Sequence, residues 1–256
     1  MRVAILGLGE AGSTYAADLA ARGVEVLGAD PAVATAPSGV VLAGSVSEAV
    51  RGARLVLSLV GSRAAGSVLD EALPAMAPAA IFADLNTAGP AEKQRLAQRA
   101  AQRAVAFADV AVLAPVVRAR LATPLLVSGT GADALLPVLA GLGIPATGVG
   151  TEAGTAAALK LLRSVFMKGL AATILEAVAA AGAIGAQDWI IDQIASELGP
   201  AGHALVRRML DGTPLHAVRR EAEMRDVRSF LDTLGAAHPM TDGTIEWLHS
   251  FSKDAG

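Results

Sequence analysis

The stretch Val3-Ala4-Ile5-Leu6-Gly7-Leu8-Gly9-Glu10-Ala11-Gly12 decides how this chain is expected to fold. Four apolar residues run into a G-x-G-x-x-G turn that a helical pattern follows, as in strand–turn–helix units that bind dinucleotides. The first glycine permits the tight turn, the second lets a pyrophosphate approach the backbone, and the third allows close packing of helix on strand. Free N–H groups at the helix N-terminus favour phosphate. The predicted cofactor contacts are therefore Gly7, Leu8, Gly9, Glu10, Ala11 and Gly12.

An acidic residue follows where this fingerprint requires one. Val24 to Leu27 reads as a second strand, and Asp30 comes at its end, roughly twenty residues beyond the turn, where a carboxylate binds the adenosine ribose hydroxyls. A carboxylate repels a 2′-phosphate, and residues 31–34 (Pro-Ala-Val-Ala) carry no cation to bind one. We therefore favour NAD as the cofactor, with NADP as the alternative. A βαβ unit whose glycines serve packing only is the competing interpretation.

Composition limits the classes of partner. The chain has 256 residues, of which 53% are hydrophobic, and a net charge of -3, so it holds enough apolar material for two modest domains. Acidic and basic residues are mixed along the chain without a basic stripe, so we expect no nucleic-acid partner. The absence of cysteine excludes disulfides and thiolate metal sites and fits a cytoplasmic protein. The scattered histidines show no metal-ligand spacing, so no metal is expected.

No segment is expected to enter a membrane. The N-terminus begins directly with a strand pattern, so no secretory signal is visible. The longest apolar segment is interrupted by charged side chains, namely Lys160, Arg163, Lys168 and Glu176, which argues against a transmembrane helix.

The order of the predicted elements indicates the fold class. Through residue 150, strand-like and helix-like runs alternate, which predicts an α/β domain of Rossmann type with a doubly wound, mostly parallel sheet. Strand patterns then disappear, and residues 151–256 read as an all-helical domain joined to the first by a long helix reaching about Ala181. The breaks between the later helices are expected at Gly199-Pro200, Gly212-Thr213-Pro214 and His238-Pro239.

Lys160 is the candidate for acid–base chemistry. It lies in one of the most apolar helices, with Ala156 and Ser164 one turn away on the same face. Partial burial disfavours the ammonium form of a lysine, which makes the side chain a usable acid or base near neutral pH. The alternative is a surface lysine whose stem lies on apolar ground while its ammonium group stays in water.

At this point the chain resembles the β-hydroxyacid dehydrogenases, a superfamily that includes 3-hydroxyisobutyrate and 6-phosphogluconate dehydrogenases. The resemblance rests on the order of four segments: the opening glycine turn, Asp84-Leu85-Asn86-Thr87-Ala88-Gly89-Pro90, Phe107-Ala108-Asp109-Val110-Ala111-Val112, and the helix bearing Gly154 and Lys160. The later helices look like a short C-terminal domain of a less characterised branch.

The resemblance implies a role for each matching residue. Lys160 matches the lysine that takes the hydroxyl proton as hydride leaves for the nicotinamide and returns it in reduction. Asn86 and Thr87 match residues beside the cofactor, and Val60 and Gly61 match the loop near the nicotinamide ribose. A homodimer is expected, since helical domains of this family usually pair.

Two departures from the family pattern bear on the substrate. Leu113-Ala114-Pro115 stands where the family commonly has the Ser-Gly-Gly that binds a substrate carboxylate, and Ser164 replaces an asparagine. Ser164 and Lys168 are the candidate substrate-binding residues. Further candidate anion binders are Arg118, Arg120 and Arg163.

Together these observations predict an NAD(P)-dependent oxidoreductase that moves a hydride between nicotinamide and a hydroxyl or carbonyl carbon of a small, acidic substrate. Lys160 is its expected general acid/base. An imine reductase is one alternative, against which Lys160 argues. A dinucleotide-binding sensor or partner protein without turnover is the other, and the altered segment 113–115 supports it.

Overall fold

The structure is a computed structural model that describes residues 1–253, and its chain forms two compact units. The first unit comprises Met1–Lys160, and the second begins at Leu161. Within the described residues the strands are β1 (Arg2–Leu6), β2 (Glu25–Ala29), β3 (Val40–Leu42), β4 (Leu55–Ser58), β5 (Ile81–Asp84), β6 (Ala106–Val112), β7 (Leu125–Ser128) and β8 (Ala146–Gly148).

The helices of the first unit lie between its strands, and the described part of the second unit is built of helices. Those of the first unit are α1 (Glu10–Ala21), α2 (Val46–Val50), α3 (Ser62–Ala72), α4 (Pro90–Ala101), α5 (Val116–Ala119) and α6 (Ala132–Gly141). Helix α7 (Thr155–Gly182) begins in the first unit and continues into the second. The second unit adds α8 (Gln187–Glu197), α9 (Gly202–Leu215), α10 (Ala217–Thr233) and α11 (Pro239–Lys253).

The strands form one sheet in the order β3-β2-β1-β4-β5-β6-β7-β8. All neighbouring pairs are parallel except β6 and β7, which run antiparallel. The predicted fold class, a doubly wound and mostly parallel α/β sheet followed by a helical region, is confirmed.

Burial on both faces explains why the central strands are continuously apolar. Side chains alternate between the two faces of a strand. In β1, Val3 and Ile5 belong to one buried cluster while Ala4 and Leu6 belong to another. Helices therefore cover both faces, as a parallel sheet requires. This arrangement brings the carboxyl ends of β1, β4 and β5 side by side.

The second unit has its own apolar core. Ala171, Ile174 and Val178 of α7 are buried in a cluster with Val206 and Met209 of α9. Helices α10 and α11 are joined at His238, whose Nε2 lies 2.9 Å from Asp232 Oδ1 and whose Nδ1 lies 2.9 Å from Asp242 Oδ2. The hydrogen bond with Asp232 is the main reason that the pKa of His238 is raised.

One predicted helix break is wrong. Helix α9 runs through Gly212, Thr213 and Pro214 to Leu215 instead of ending before them. Pro214 has no N–H to donate to the carbonyl of Leu210, and its ring crowds that carbonyl. Only Leu215 follows it in the helix, so no later turn is disturbed. The chain leaves the helix at His216, whose φ is -119° and ψ is 19°. The breaks at Gly199-Pro200 and His238-Pro239 are confirmed.

Helix α7 is long and apolar enough, by length and composition, to cross a membrane. The core helix of a soluble protein passes the same test. The first turn of α7 is buried at Ala156 and Ala157, and its later turns supply apolar side chains to the core of the second unit. Its apolar character is therefore a weak indication of a membrane span.

A buried ion cluster joins the last residue of β5 to the middle of β6. It consists of Lys93 on α4 with Asp84 and Asp109, each at most 1% exposed. The Lys93 ammonium lies 2.7 Å from Asp84 Oδ2 and 3.2 Å from Asp109 Oδ1, and it also donates to the backbone carbonyl of Asp84 at 2.9 Å. We call these three residues the ion triad. It ties one helix to two neighbouring strands.

Replacing Lys93 by methionine tests how strongly the triad holds the first unit. Removing one partner leaves buried charges uncompensated, so Lys93→Met should lower the free energy of unfolding by roughly 3–5 kcal/mol. Urea denaturation followed by circular dichroism measures the loss. The matched control is Arg95→Met on the same helix, because Arg95 is 65% exposed in its pair with Glu92 and should cost less than about 1 kcal/mol. Equal losses for both variants would contradict this prediction.

Candidate functional site

The turn after β1 has the backbone geometry that its glycines predict. Gly7 has a φ of 89°, and a Cβ there would lie 2.6 Å from the carbonyl oxygen of Leu59. A Cβ on Gly12 would lie 1.8 Å from the carbonyl oxygen of Gly7. Both positions therefore require glycine for the chain to pass. A Cβ on Gly9, in contrast, would meet nothing within 4 Å.

This open space lies at the N-terminus of α1. Gly9 is the N-cap and supplies no capping side chain, and the N–H of Ser13 is the one that bonds back to the Gly9 carbonyl, at 2.8 Å. The preceding N–H groups, those of Glu10, Ala11 and Gly12, have no intrahelical acceptor. The arrangement fits a pyrophosphate, which needs unpaired backbone donors and a close approach to the chain.

Asp30 lies beside this turn and is held by the backbone. Its Oδ2 accepts the N–H of Leu8 at 2.8 Å, and its Oδ1 accepts the N–H of Ala32 at 2.9 Å. A carboxylate oxygen has room for two hydrogen bonds. The carboxylate can therefore accept further bonds, as the binding of ribose hydroxyls requires.

Asn86 joins the ends of β4 and β5. It is 5% exposed, its Oδ1 accepts the N–H of Gly61 at 2.7 Å, and its Nδ2 donates to Ser58 Oγ at 3.0 Å. The same amide group donates to Asp84 Oδ1. Gly61 has a φ of 87° and is exposed, next to the partly buried Val60. The structure thus brings Val60, Gly61 and Asn86 together at one edge of the sheet.

Lys160 donates from Nζ to Thr87 Oγ1 at 3.0 Å. Thr87 follows Asn86 directly, so the lysine reaches the loop that carries the predicted cofactor contacts. Lys160 is partly buried, and the residues one turn before and after it, Ala156 and Ser164, are 0% and 7% exposed. Its ammonium thus bonds to the hydroxyl of a residue that is itself exposed.

The first turn of α7 is capped from the sheet. Asp109 Oδ2 accepts the N–H groups of Gly154 at 3.0 Å and Ala157 at 3.1 Å, while Ser128 Oγ accepts that of Ala156 at 3.1 Å. Gly154 has a φ of 98°, and a Cβ there would lie 2.8 Å from the carbonyl oxygen of Pro90. These contacts determine where the helix begins, and hence where Lys160 stands.

The two predicted substrate-binding residues lie in the second unit and contact each other. Lys168 donates to Ser164 Oγ at 2.9 Å and pairs with Glu223 Oε2 at 3.0 Å. Glu223 is also held by Arg219 at 2.6 Å. Lys168 therefore shares its positive charge with a carboxylate, which weakens it as an anion binder.

Arg120 and the segment 113–115 were also linked to substrate binding in the sequence, and the structure shows each of them in other contacts. The guanidinium of Arg120 is bound to Asp18, with its Nε 3.0 Å from Oδ2, so it is already paired with a carboxylate. Leu113 donates its N–H to the carbonyl of Pro124 at 3.0 Å, and Pro115 becomes the N-cap of α5, a helix that the sequence did not predict. Pro115 has no N–H to offer a substrate carboxylate.

The sequence interpretation missed Lys93, Ser58 and Ser128 as parts of this site. The available signals were a polar residue at the end of an apolar strand, as for Ser58 and Ser128, and a lysine in register with Leu96 and Ala100 on the buried stripe of α4. Neither signal names the partner of the polar group, because the partners come from distant parts of the sequence.

Comparison with known families identifies the domain that contains this glycine turn. Residues 2–150 match the NAD binding domain of 6-phosphogluconate dehydrogenase. The chain belongs to this family. Its first unit is therefore an NAD(P)-binding domain. Residues 181–251 match a domain of unknown function, DUF1932. The predicted superfamily, with a poorly characterised C-terminal domain, is confirmed.

One curated relative is described as uncharacterized. The chain is 27% identical over 151 residues to a 28.5 kDa protein of Methanothermus fervidus, a match that covers 59% of this chain and 58% of the relative. The match thus spans less than two thirds of that relative's length.

Solved structures show the same fold over the whole chain. A conserved hypothetical protein from Sinorhizobium meliloti is 29% identical, with a TM-score of 0.79, and the match covers 97% of this chain and 87% of that one. A 3-hydroxyisobutyrate dehydrogenase from Mycobacterium tuberculosis is 22% identical, with a TM-score of 0.83, over 99% and 94%. An imine reductase from Myxococcus stipitatus is 18% identical, with a TM-score of 0.69, over 99% and 94%. The last two likenesses concern the fold alone.

Substituting Gly9 tests the open space at the turn. Because a Cβ at Gly9 or at Gly141 would meet nothing within 4 Å, both Gly9→Ala and Gly141→Ala should fold like the parent protein. Only Gly9→Ala should weaken NADH binding, by roughly tenfold or more, since the added methyl occupies the space a pyrophosphate needs. Fluorescence titration with NADH measures both dissociation constants. An unchanged NADH dissociation constant in Gly9→Ala would show that the cofactor does not bind at this turn.

Proposed function

We propose that the protein is an NAD(P)-dependent oxidoreductase that transfers a hydride between nicotinamide and a hydroxyl or carbonyl carbon of a small, acidic substrate. The observation that carries this proposal is the hydrogen bond of 3.0 Å from Lys160 Nζ to Thr87 Oγ1, on the loop that follows Asn86. Membership of the dehydrogenase family supports the reaction class.

The proposed role of Lys160 is to hold and move one proton. In the oxidation direction the neutral amine takes the proton of the substrate hydroxyl, and in reduction the ammonium returns it. Thr87 accepts one N–H of the lysine, which leaves the nitrogen lone pair directed away from the threonine. The bound nicotinamide supplies the hydride acceptor or donor. In the oxidation direction the substrate thus loses two hydrogens. One leaves as a hydride, which carries both electrons, and the other leaves as a proton.

The cofactor preference that we propose is NAD over NADP. Asp30 is fixed by two backbone amides, so its negative charge stays near the position of the ribose hydroxyls. A 2′-phosphate at this position would be repelled.

The subunit arrangement proposed is a homodimer in the cytoplasm. Several large apolar side chains of the second unit are exposed, and a subunit contact would bury such side chains if they lie together. They are Phe166, Ile184, Trp189, Leu215, Val218 and Met240.

Lys160→Met tests the proton-transfer role. Turnover should fall by roughly a hundredfold or more, the contribution of a positioned acid or base, while the NADH dissociation constant stays the same. The assay follows NADH absorbance with a panel of 3-hydroxy acids, among them 3-hydroxyisobutyrate and L-serine, their carbonyl counterparts and cyclic imines. Leu159→Met, one residue earlier on the same helix and 40% exposed, is the control.

The outcomes separate the candidate functions. Loss of carbonyl-acid turnover in Lys160→Met alone supports the proposal, and turnover of imines without carbonyl acids supports an imine reductase. Binding of NADH with no turnover of any panel member favours the non-catalytic alternative. Near-full activity of Lys160→Met removes this lysine from the mechanism.

Asp30→Asn tests the cofactor preference. Asparagine carries no charge and keeps one of the two oxygens that accept a backbone N–H. The NADPH dissociation constant divided by that for NADH should therefore fall by roughly tenfold or more. The lost backbone bond affects both cofactors alike. Asp133→Asn, on an exposed residue at the first turn of α6, is the control and should leave the ratio unchanged. An unaltered ratio in Asp30→Asn contradicts the assignment of the ribose contact.

A further inference from the structure

The two partners of the Lys160–Thr87 hydrogen bond are both anchored on the ion triad. The Lys93 ammonium lies between the carboxylates of Asp84 and Asp109. A separate chain of contacts starts from each carboxylate. One chain leads to the acceptor of the hydrogen bond and the other to its donor.

The first chain leads from Asp84 to Thr87. Asp84 uses Oδ2 for Lys93 and Oδ1 for the side-chain amide of Asn86. The other end of that amide accepts the N–H of Gly61 at 2.7 Å, so Asn86 cannot rotate without losing bonds on both sides. Thr87 is the next residue, and the position of its hydroxyl depends on this fixed backbone.

The second chain leads from Asp109 to Lys160. Asp109 faces Lys93 with Oδ1 and accepts the N–H groups of Gly154 and Ala157 with Oδ2. Ser128 adds a hydroxyl that donates to Asp109 Oδ2 at 3.1 Å and accepts the N–H of Ala156 at 3.1 Å. Lys160 follows these capped residues by about one turn of α7.

A contribution to stability alone does not explain why the ion triad is buried here. Desolvating charges is costly, and replacing a buried ion pair by apolar residues of similar volume is often neutral or stabilising. Two carboxylates facing one ammonium also leave an excess negative charge, which the N–H groups at the positive end of α7 offset. The charges are thus arranged around the start of the helix that carries Lys160.

We propose that the ion triad of Asp84, Lys93 and Asp109, together with Ser128, positions Lys160 against Thr87. These residues act through the lysine and do not touch the reacting atoms, and their role in catalysis rests on the function proposed above. The Lys93 ammonium contacts carboxylates on two strands, and one of these, Asp109, also caps the N-terminus of α7. A single ammonium is thus linked to both ends of the hydrogen bond.

The experiment measures the reactivity of Lys160 itself and needs no substrate. The full chain is treated briefly with acetic anhydride, and mass spectrometry gives the acetylation rate of each lysine, with Lys168 as internal reference. Thr87→Val removes the acceptor and shows how much faster Lys160 reacts without the hydrogen bond.

Ser128→Ala is the test variant, because it loosens the start of α7 without leaving a buried charge unpaired. We expect it to raise the acetylation rate of Lys160 by roughly two- to tenfold, as the loss of one helix cap allows, and to leave Lys168 unchanged. Combined with Thr87→Val, it should add little further, since both changes act on the same hydrogen bond.

Ser45→Ala is the matched control. Ser45 caps α2 through its hydroxyl, which accepts the N–H of Glu48 at 3.1 Å, so its loss costs comparable stability away from the triad. Lys160 should react as in the parent protein. An equal effect of Ser45→Ala would reduce the role of Ser128 to general stability and overturn the proposal.

Lys93→Met completes the series if it folds, and it should raise the Lys160 acetylation rate at least as much as Ser128→Ala. The proposal is overturned if Ser128→Ala leaves Lys160 at the parent rate, or if its effect multiplies fully with that of Thr87→Val. These results are separable from failure of the proposed function, which shows as retained turnover in Lys160→Met whatever the labelling rates are.

Discussion

A single buried ammonium, that of Lys93, holds together the parts of the first unit on which the candidate site depends. It contacts carboxylates on two adjacent strands, and these carboxylates in turn bind the Asn86 amide and the first turn of α7. A buried charge of this kind is tolerated only when every neighbouring polar group is placed to compensate it. The position of Lys160 therefore depends on direct contacts between residues that are far apart in the sequence.

The glycine turn after β1 is the second feature on which the candidate site depends. Gly7 and Gly12 are packed so closely that a Cβ at either position would overlap a backbone oxygen, whereas the space beside Gly9 is open. Packing accounts for Gly7 and Gly12, and the proposed cofactor contact would account for Gly9. A packing-only explanation of the motif leaves Gly9 without a reason, and membership of a family with an NAD binding domain supplies one.

Much of the fold and part of the candidate site could be predicted from the sequence because the patterns that encode them are local. The turn after β1, the carboxylate at Asp30 and the continuously apolar strands are each encoded within a few consecutive residues. The predicted end of α9 was wrong because Pro214 lies one residue before the end of the helix, where it costs one hydrogen bond and disturbs no later turn. The burial of Lys93 was missed because its partners lie in other elements, and in Pro90-Ala91-Glu92-Lys93-Gln94-Arg95 it looks like one more solvated charge.

The segment after β6 marks where this chain departs from the dehydrogenases it resembles. Pro115 cannot donate a hydrogen bond, and the residues after it turn into the short helix α5. A substrate carboxylate would have to find its donors elsewhere. This local change leaves the glycine turn, the ion triad and Lys160 untouched, so it alters recognition of the substrate and not the proposed proton transfer.

A crystal structure of the protein with NAD⁺ bound tests the role of Lys160 most sharply. We expect the pyrophosphate to lie on the N–H groups of Glu10, Ala11 and Gly12, and the nicotinamide ring to lie beside Thr87 with the Lys160 nitrogen next to it. A ring bound away from Lys160, or a nucleotide that avoids the glycine turn, would show that this lysine is not the acid or base.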